Sequence, residues 1–259
     1  MPASLKTHSV GATLVLTISH PERRNALSPD MYAAGVEALN AADSQSEIRS
    51  VIITGEGGDF CAGGDVRRLL RNRQESPEVQ AESIEQLHSW IETIRSFSKP
   101  VVGAVEGACA GAGFSLALAC DVLVAAQTSR FIMAYSQLGL SPDGGASWTL
   151  SQSLPRATVM ELLWLGEAMD ATRLHQLGLV NRVVPAGQAL SAALALCDTL
   201  NARAPNALAS VKELVNEADE HTLNQQLQRE RDRFVRNLHH VNAGEGLSAF
   251  LEKRPPRFS

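Results

Sequence analysis

The sequence predicts an α/β fold, because short apolar strands and helical segments alternate along most of its 259 residues. Residues 49–54 and 101–105 are apolar, β-branched and followed by glycine-rich turns, which is typical of buried strands. Between them, residues 84–94 carry isoleucine and leucine at helical spacing. No long linker interrupts the alternation, so a single α/β core accounts for it.

The N-terminal part is predicted to contain a strand, a helix and a second strand. Residues 10–18 are apolar and β-branched, and a polar loop follows them. Ser28 provides an N-cap and Pro29 a first-turn proline ahead of residues 31–42, where alanine and leucine favour a helix. Residues 49–54 then form the next strand, which ends in a glycine turn.

The central part continues in the same way. The helix predicted over residues 84–94 ends before Pro100, and residues 101–105 resume as a strand. Residues 114–120 are apolar on nearly every side, so we expect them to form a buried helix. Residues 121–126 follow as another strand.

Beyond about residue 195 the chain changes character. Residues 207–216 and 223–238 have helical patterns with one polar face, and no strand pattern accompanies them. We therefore predict an α/β core over residues 1–195 and a helical region over residues 196–259.

Composition narrows the class of protein. The 28 acidic residues exceed the 23 Lys and Arg and give a net charge of −5, which argues against a nucleic-acid partner or an anionic membrane surface. The N-terminus lacks the apolar core of a secretory signal, so we expect a cytoplasmic protein. No metal site follows from the dispersed cysteines, which are expected to be small buried side chains: Cys61, Cys109, Cys120 and Cys197.

Two small-residue segments are candidates for binding an anion through backbone amides. Residues 61–65 (CAGGD) follow a predicted strand, and small side chains there let a ligand approach the backbone closely. Residues 107–113 (GACAGAG) precede the buried helix, whose N-terminus adds unpaired amides and the positive end of a dipole. Taken alone, a segment of this kind is more often a plain tight turn than a functional site.

Other glycine motifs fit less well. Gly111 and Gly113 match the first two glycines of a dinucleotide-binding fingerprint, but Leu116 occupies the third position and the segment lies far from the first strand. The sequence contains neither a phosphate-binding P-loop nor the Gly-x-Ser-x-Gly elbow of serine hydrolases. The two segments therefore stay candidates for an anion site that binds no nucleotide phosphate and holds no serine nucleophile.

The chain resembles the crotonase (enoyl-CoA hydratase/isomerase) superfamily along nearly its whole length. Five segments carry the resemblance in order: residues 25–28 (NALS), 60–65 (FCAGGD), 99–121 from KPV onward, 139–145 (GLSPDGG) and 177–184 (LGLVNRVV). The resemblance implies a spiral of repeated ββα units followed by a C-terminal helical oligomerisation region. It also implies that residues 196–259 serve trimerisation, giving a homo-trimer or a hexamer built from two trimers.

The resemblance places the catalytic amides and limits the acid–base groups. In that family two backbone amides stabilise a thioester enolate, and the matching residues here are Gly64 and Ala112. The two positions that carry glutamates in typical hydratases are Ser115 and Tyr135 here, and neither can act as a carboxylate base. Asp143 remains, at the position of a catalytic aspartate in some family isomerases. Residues 131–148 look most like the 1,2-epoxyphenylacetyl-CoA and enoyl-CoA isomerase branch.

These residues favour an isomerase in which Asp143 moves a proton between two carbons of an enoyl-CoA. Asp143 also precedes two glycines, so a turn-forming role is an alternative. Competing functions are a hydratase that adds water to a 2-enoyl-CoA, a dehalogenase with Asp143 as nucleophile, and an acyl-CoA-binding protein with reduced catalysis. His88 matches a histidine near the nucleophile of the dehalogenases, and packing at the edge of its helix is its other interpretation.

The family mode of binding assigns the remaining residues. No separate cofactor is implied, since coenzyme A is part of the substrate. Residues 67–83 are expected to wall the acyl pocket, with Tyr135 lining it and Ser115 as a hydrogen-bond donor. The resemblance implies that the following residues contact the substrate, the last two from a neighbouring subunit: Arg24, Ala26, Ala62, Val66, His88, Arg257 and Phe258.

Overall fold

The computed structural model describes residues 3–259, whose strands and helices alternate as an α/β fold. The strands are β1 (Ser4–Val10), β2 (Thr13–Ser19), β3 (Ser50–Gly55), β4 (Val101–Val105), β5 (Ala108–Ala110), β6 (Val122–Ala126), β7 (Arg130–Ile132), β8 (Met169–Asp170) and β9 (Arg182–Val184). The helices of the core are α1 (Pro29–Asp43), α2 (Val66–Asn72), α3 (Pro77–Ser96), α4 (Ala112–Ala119), α5 (Ala146–Ser153), α6 (Arg156–Leu165) and α7 (Ala171–Gln176). Four further helices follow: α8 (Ala189–Asn201), α9 (Pro205–Glu217), α10 (Leu223–Leu238) and α11 (Val241–Glu252).

Two sheets organise the strands. The larger has the order β1-β2-β3-β4-β6-β9, in which only β1 and β2 pair antiparallel and every later pair is parallel. The smaller contains β5, β7 and β8. Parallel neighbours end at the same edge of a sheet, so the loops that follow β3 and β4 are brought together. The predicted α/β class is confirmed.

The first predicted strand is wrong in its bounds. Residues 10–18 are not one strand, because the chain turns at Gly11, whose φ of 57° suits glycine. Val10 ends β1 and pairs with Thr13 at the start of β2, which makes a tight antiparallel hairpin. The polar side chains of β1 concealed it, because an edge strand with exposed residues lacks a clear hydrophobic pattern.

Helices cover both faces of the large sheet. On one face, Val15, Ile52 and Val102 pack with Ala193 and Cys197 of α8. On the other face, α1, α3 and α4 join a larger cluster of buried side chains. Every residue of α4 is buried, as its uniformly apolar sequence predicts. This buried helix gives the site below a fixed support.

The C-terminal helices are joined to the core by α9. Lys212 of α9 donates to the carbonyl oxygen of Ile94 at 2.9 Å and forms an ion pair with Asp121 at the same distance. The helix α8 crosses residue 195 and packs on the sheet, so the chain leaves the sheet only after Asn201. The predicted boundary at residue 195 falls inside this helix. The division into two regions, residues 1–195 and 196–259, stays a prediction.

Candidate active site

The two small-residue segments are joined by backbone hydrogen bonds. The amide of Cys61 donates to the carbonyl oxygen of Ala108 at 3.0 Å, and the amide of Ala110 donates to that of Cys61 at 2.8 Å. One residue earlier, the amide of Phe60 donates to the carbonyl oxygen of Glu106 at 2.7 Å. These hydrogen bonds fix the loop after β3 against the loop after β4. The backbone amides that follow in each loop are therefore held at a fixed distance from each other.

Glycine is required where the two segments approach most closely. Gly63 has a φ of 89°, and a Cβ built there would lie 2.6 Å from the carbonyl oxygen of Ala110 and 3.2 Å from the amide nitrogen of Ala112. A Cβ on Gly113 would lie 2.6 Å from the carbonyl oxygen of Cys61. Any side chain at either position would separate the segments.

The amides of Gly64 and Ala112 have no acceptor among residues 3–259. Ala112 is the first residue of α4, where the amides of a helix lack intrahelical partners and the positive end of the dipole lies. Gly64 follows Gly63 in the joined loop, and both Gly64 and Ala112 line one cavity. Two unpaired donors at one cavity are suited to an oxyanion.

A buried asparagine holds the first of these loops. Asn25 is fully buried with a φ of 58°, and its side-chain amide donates to the carbonyl oxygens of Glu56 and Asp59 at 2.9 and 2.7 Å. Close by, the amide of Leu27 donates to the carbonyl oxygen of Gly63 at 2.8 Å. The motif at residues 25–28 is therefore a support for the glycine loop.

The cavity at the unpaired amides has a volume of about 380 Å³. It brings together seven of the residues predicted from the sequence: Ala62, Gly64, Val66, His88, Ala112, Tyr135 and Asp143. Residues from the 67–83 stretch line it as well. Tyr32 and Arg68 also line it, although the sequence singled out neither. Arg68 falls within the stretch 67–83 that was expected to wall the pocket, whereas Tyr32 belongs to α1, whose sequence gives no signal of a pocket.

Asp143 is held by two contacts. The hydroxyl of Tyr135 donates to its Oδ1 at 2.6 Å, and the hydroxyl of Ser115 donates to its backbone carbonyl oxygen at 2.9 Å. Burial raises the pKa of Tyr135, and the negative charge of Asp143 raises it further, so the phenol stays protonated and donates. Asp143 is thereby anchored through its backbone and its side chain.

Ser115 and His88 differ in their relation to the cavity. Ser115 is buried behind the wall and acts on the loop of Asp143, so it does not itself line the cavity. The half-buried His88 does line it, with Nδ1 3.9 Å from a carboxylate oxygen of Glu85. The role of His88, as a packing residue or as a substrate contact, stays a prediction.

A second cavity of about 440 Å³ adjoins the first and shares Ala62, Gly64 and Val66 with it. Ala26 lines this second cavity, and so does Asp65, which caps α2 by accepting from the amide of Arg67 at 2.9 Å. Burial raises the pKa of Asp65, but the hydrogen bond from Arg67 and the charge of Arg23 outweigh it and leave the pKa lowered.

Arg24, Arg257 and Phe258 line neither cavity of this chain. Arg24 is exposed, with Nε 3.9 Å from a carboxylate oxygen of Asp59. The tail is bound to its own chain, because the amide of Arg257 donates to Glu245 at 2.7 Å and the carbonyl oxygen of Phe258 accepts from Arg49 at 3.2 Å. Their contact with coenzyme A stays a prediction.

Residues 3–259 contain neither a metal-binding cluster nor a helix that could span a membrane. No cluster of three His, Cys, Asp or Glu side chains has the arrangement of a metal site. None of the helices in this range combines the length and the hydrophobicity of a membrane span. The site is thus described by its amides, its carboxylate and the side chains around them.

Known proteins resemble this chain over nearly its whole length. The family model described as enoyl-CoA hydratase/isomerase matches residues 9–259. The 1,2-epoxyphenylacetyl-CoA isomerase of Escherichia coli K12 is 35% identical over 258 residues, covering 98% of this chain and 97% of the relative. The 2,3-dehydroadipyl-CoA hydratase of the same strain is 33% identical over 245 residues, covering 95% and 94%.

Solved structures show the same fold. The crystal structure of an enoyl-CoA hydratase from Polaromonas sp. JS666 has 64% sequence identity and a TM-score of 0.98, covering 99% of this chain and 100% of that one. An enoyl-CoA hydratase from Geobacillus kaustophilus HTA426 has 32% identity and a TM-score of 0.91, covering 98% and 97%. The protein is thus an enzyme of the crotonase superfamily. Within it, the chain belongs to the enoyl-CoA hydratase/isomerase family.

Proposed function

We propose that the enzyme shifts the double bond of an enoyl-CoA, with Asp143 carrying the proton. The observation that supports this most directly is the composition of the cavity wall. Among the described residues that line the cavity, Asp143 is the one carboxylate, and it shares the cavity with the unpaired amides of Gly64 and Ala112. A base and an oxyanion site are both needed to form an enolate.

The amides supply the electrostatic part of the reaction. When a proton leaves the α carbon of a thioester, negative charge develops on the thioester oxygen. An amide donor in such a hole is worth about 3–4 kcal/mol in the transition state. The amides of Gly64 and Ala112 together make proton removal by an ordinary carboxylate feasible.

Asp143 supplies the proton transfer. From a 3-enoyl thioester its carboxylate removes an α proton, and the electron pair spreads over the dienolate. The same carboxyl group then returns the proton to the γ carbon, which leaves a 2-enoyl thioester. No water is consumed, and Asp143 ends in its starting state. Coenzyme A takes part only as the thioester of the substrate.

A hydratase is the second candidate, because relatives with that name match nearly the whole chain. Hydration of a 2-enoyl-CoA requires a group that activates and orients water. The positions that would carry the hydratase glutamates are Ser115 and Tyr135, and Tyr135 is engaged with Asp143. The cavity wall therefore supports a one-carboxylate reaction better than a reaction with two.

The experiment presents a 3-enoyl-CoA and a 2-enoyl-CoA of equal length to the enzyme in separate assays in deuterium oxide. We expect the 3-enoyl substrate to isomerise with exchange of solvent deuterium, and Asp143→Asn to abolish both events. Glu161→Gln replaces an exposed carboxylate outside the cavity and is the matched control. Rapid hydration of the 2-enoyl substrate with activity retained in Asp143→Asn would refute the isomerase.

We also propose that the chain forms a homo-trimer or a dimer of trimers. Large apolar side chains of the C-terminal helices are exposed in the single chain, among them Leu223, Phe234 and Phe250. Exposed apolar surface of this kind is typical of an interface. Light scattering coupled to gel filtration measures the mass directly, and a monomer at micromolar concentration would contradict the proposal.

A further inference from the structure

The cavity contains a cationic side chain that the isomerase reaction does not use. Arg68 of α2 lines the cavity, and its Nη2 donates to the hydroxyl of Tyr32 at 3.2 Å. Its Nε and Nη1 are enclosed and have no hydrogen-bond partner. Among residues 3–259, no carboxylate lies within 4.0 Å of the Arg68 guanidinium. Arg68 is therefore an enclosed cation without a carboxylate partner, and its guanidinium carbon lies 5.9 Å from the centroid of the Tyr32 ring.

Such an arrangement is unfavourable unless an anion completes it. A guanidinium stays charged, carries five N–H donors and accepts nothing, so its enclosed nitrogens lose water without a replacement. A hydrocarbon acyl chain in the cavity would exclude water further and offer no acceptor. A carboxylate would accept two parallel hydrogen bonds from the planar fork and neutralise its charge.

The neighbouring side chains agree with a polar end of the acyl pocket. Gln80 and the buried Ser83 of α3 line the same cavity as Arg68 and Tyr32. Asp143 lines it too, but its carboxylate accepts from Tyr135 and makes no ion pair with Arg68. The cavity thus has one carboxylate for chemistry and one cation that no protein group neutralises.

We infer that the acyl group of the substrate ends in a second carboxylate, which Arg68 binds through its guanidinium fork. The inference rests on the proposed function only in placing an acyl-CoA in this cavity. It names the substrate class as the CoA monothioesters of dicarboxylic acids. The enzyme would then discriminate between acyl chains by their terminal group. A terminal carboxylate hydrogen-bonds to Arg68, whereas a terminal methyl group cannot.

The first test measures binding without catalysis. Saturated dicarboxylic acyl-CoAs of increasing length are each compared with the monocarboxylic acyl-CoA of the same length by calorimetry. At the best length we expect the dicarboxylic ester to bind about 10- to 100-fold more tightly, as a charged hydrogen-bonded pair allows. In Arg68→Met this preference should disappear, and in Arg68→Lys it should be only partly retained because the fork is lost.

A matched control is available on the same helix. Arg71→Met removes an exposed arginine of α2 that does not line the cavity, and it should leave the preference unchanged. Equal binding of the two ester series at every length by the unaltered enzyme would overturn the inference. So would an equal loss of affinity for both series in Arg68→Met with the folded circular dichroism spectrum retained, because Arg68 would then act on the site itself.

The second test separates this inference from the proposed function. Isomerisation rates are measured for matched 3-enoyl esters with and without the terminal carboxylate. If neither ester is isomerised but the dicarboxylic esters still bind selectively, the proposed reaction fails and the substrate class stands. If both are isomerised at equal rates and bind equally, the reaction stands and the role of Arg68 as a carboxylate receptor is refuted.

Discussion

The hydroxyl of Tyr135 donates a 2.6 Å hydrogen bond to Oδ1 of Asp143, eight residues further along the chain. Both side chains line the cavity that the unpaired amides also line. A carboxylate fixed at one oxygen keeps the other for the substrate. Tyr135 is therefore a positioning residue for the proposed base.

Tyr135→Phe should lower kcat about tenfold or more, because a hydrogen bond to a charged group contributes about 1.5–3 kcal/mol. KM should change little, since the ring remains in the pocket wall.

A double-mutant cycle checks that the effect passes through Asp143. In an Asp143→Asn background the further change of Tyr135 to phenylalanine should have almost no effect on the residual rate. Equal effects in both backgrounds would show that Tyr135 acts on the substrate independently of the carboxylate.

The two tyrosines of the chain should resist ionisation in the folded enzyme. Burial raises the pKa of Tyr135, and burial also raises the pKa of Tyr32 against the opposing charge of Arg68. A raised pKa in the folded state gives stability that is complete below the unfolded value of about 10 and is lost as pH rises through the folded value. Tyrosinate absorbance should therefore be small near pH 10 (about the unperturbed value) and increase only on unfolding. Tyrosinate absorbance at the level of free tyrosine under folded conditions would contradict this.

The sequence was sufficient for the elements with strong periodicity or uniform apolar composition. The buried helix α4 and the helix α10 fall where the pattern predicts them, because α4 is uniformly apolar and the apolar spacing of α10 repeats over several turns. The strands β5, β7 and β8 have three, three and two residues and are too short to show a period. Their positions depend on tertiary pairing alone.

Some residues of the candidate site could be identified from the sequence, and others only from the structure. Gly64, Ala112 and Asp143 could be named from motifs, since each motif is local in sequence. The Tyr135–Asp143 contact could not, because it depends on how the intervening loop folds around Gly139, which has a φ of 70°. Arg68 lies in a polar segment that resembles exposed surface, and only the packing of α2 beside α3 turns it toward the cavity.

Gly63 and Gly64 should differ strongly in their tolerance of substitution by alanine. Gly63→Ala should destabilise the protein by about 1–3 kcal/mol and reduce activity severely, because the new Cβ would meet the carbonyl oxygen of Ala110. Gly64→Ala should be close to neutral, since the nearest atom to its Cβ is Cδ1 of Leu69 at 3.9 Å and the amide is kept. Denaturant unfolding and kcat/KM test the contrast. Similar losses in both variants would contradict the segment packing described above.

Ala112→Pro tests the amide donor directly. Ala112 is the first residue of α4, where proline is tolerated because its missing N–H has no intrahelical partner. The variant should fold normally and lose about 100- to 1000-fold in kcat, which is the usual effect of removing one oxyanion donor. Ala112→Ser keeps the amide and is the control. If the proline and serine variants turn over at similar rates, the Ala112 amide is not part of the oxyanion site.

Asp65 should give the enzyme part of its resistance to acid. Its carboxylate caps α2, the helix that carries Arg68, and forms an ion pair with Arg23. Its folded pKa is lowered in spite of burial, so its stabilising contribution is present above the unfolded value of about 3.9 and is lost as pH falls through the folded value. Asp65→Asn keeps a good N-cap and removes the charge, whereas Asp65→Ala removes both.

At neutral pH we therefore expect Asp65→Ala to be less stable than Asp65→Asn by about 1 kcal/mol, the usual value of an N-cap. The difference between the unaltered enzyme and Asp65→Asn should shrink as pH falls below about 4, because the carboxylate is then protonated. Denaturant unfolding at a series of pH values measures both differences. A gap between the unaltered enzyme and Asp65→Asn that stays constant down to acid unfolding would show that the ion pair with Arg23 does not stabilise the fold, and that Asp65 acts through its cap alone.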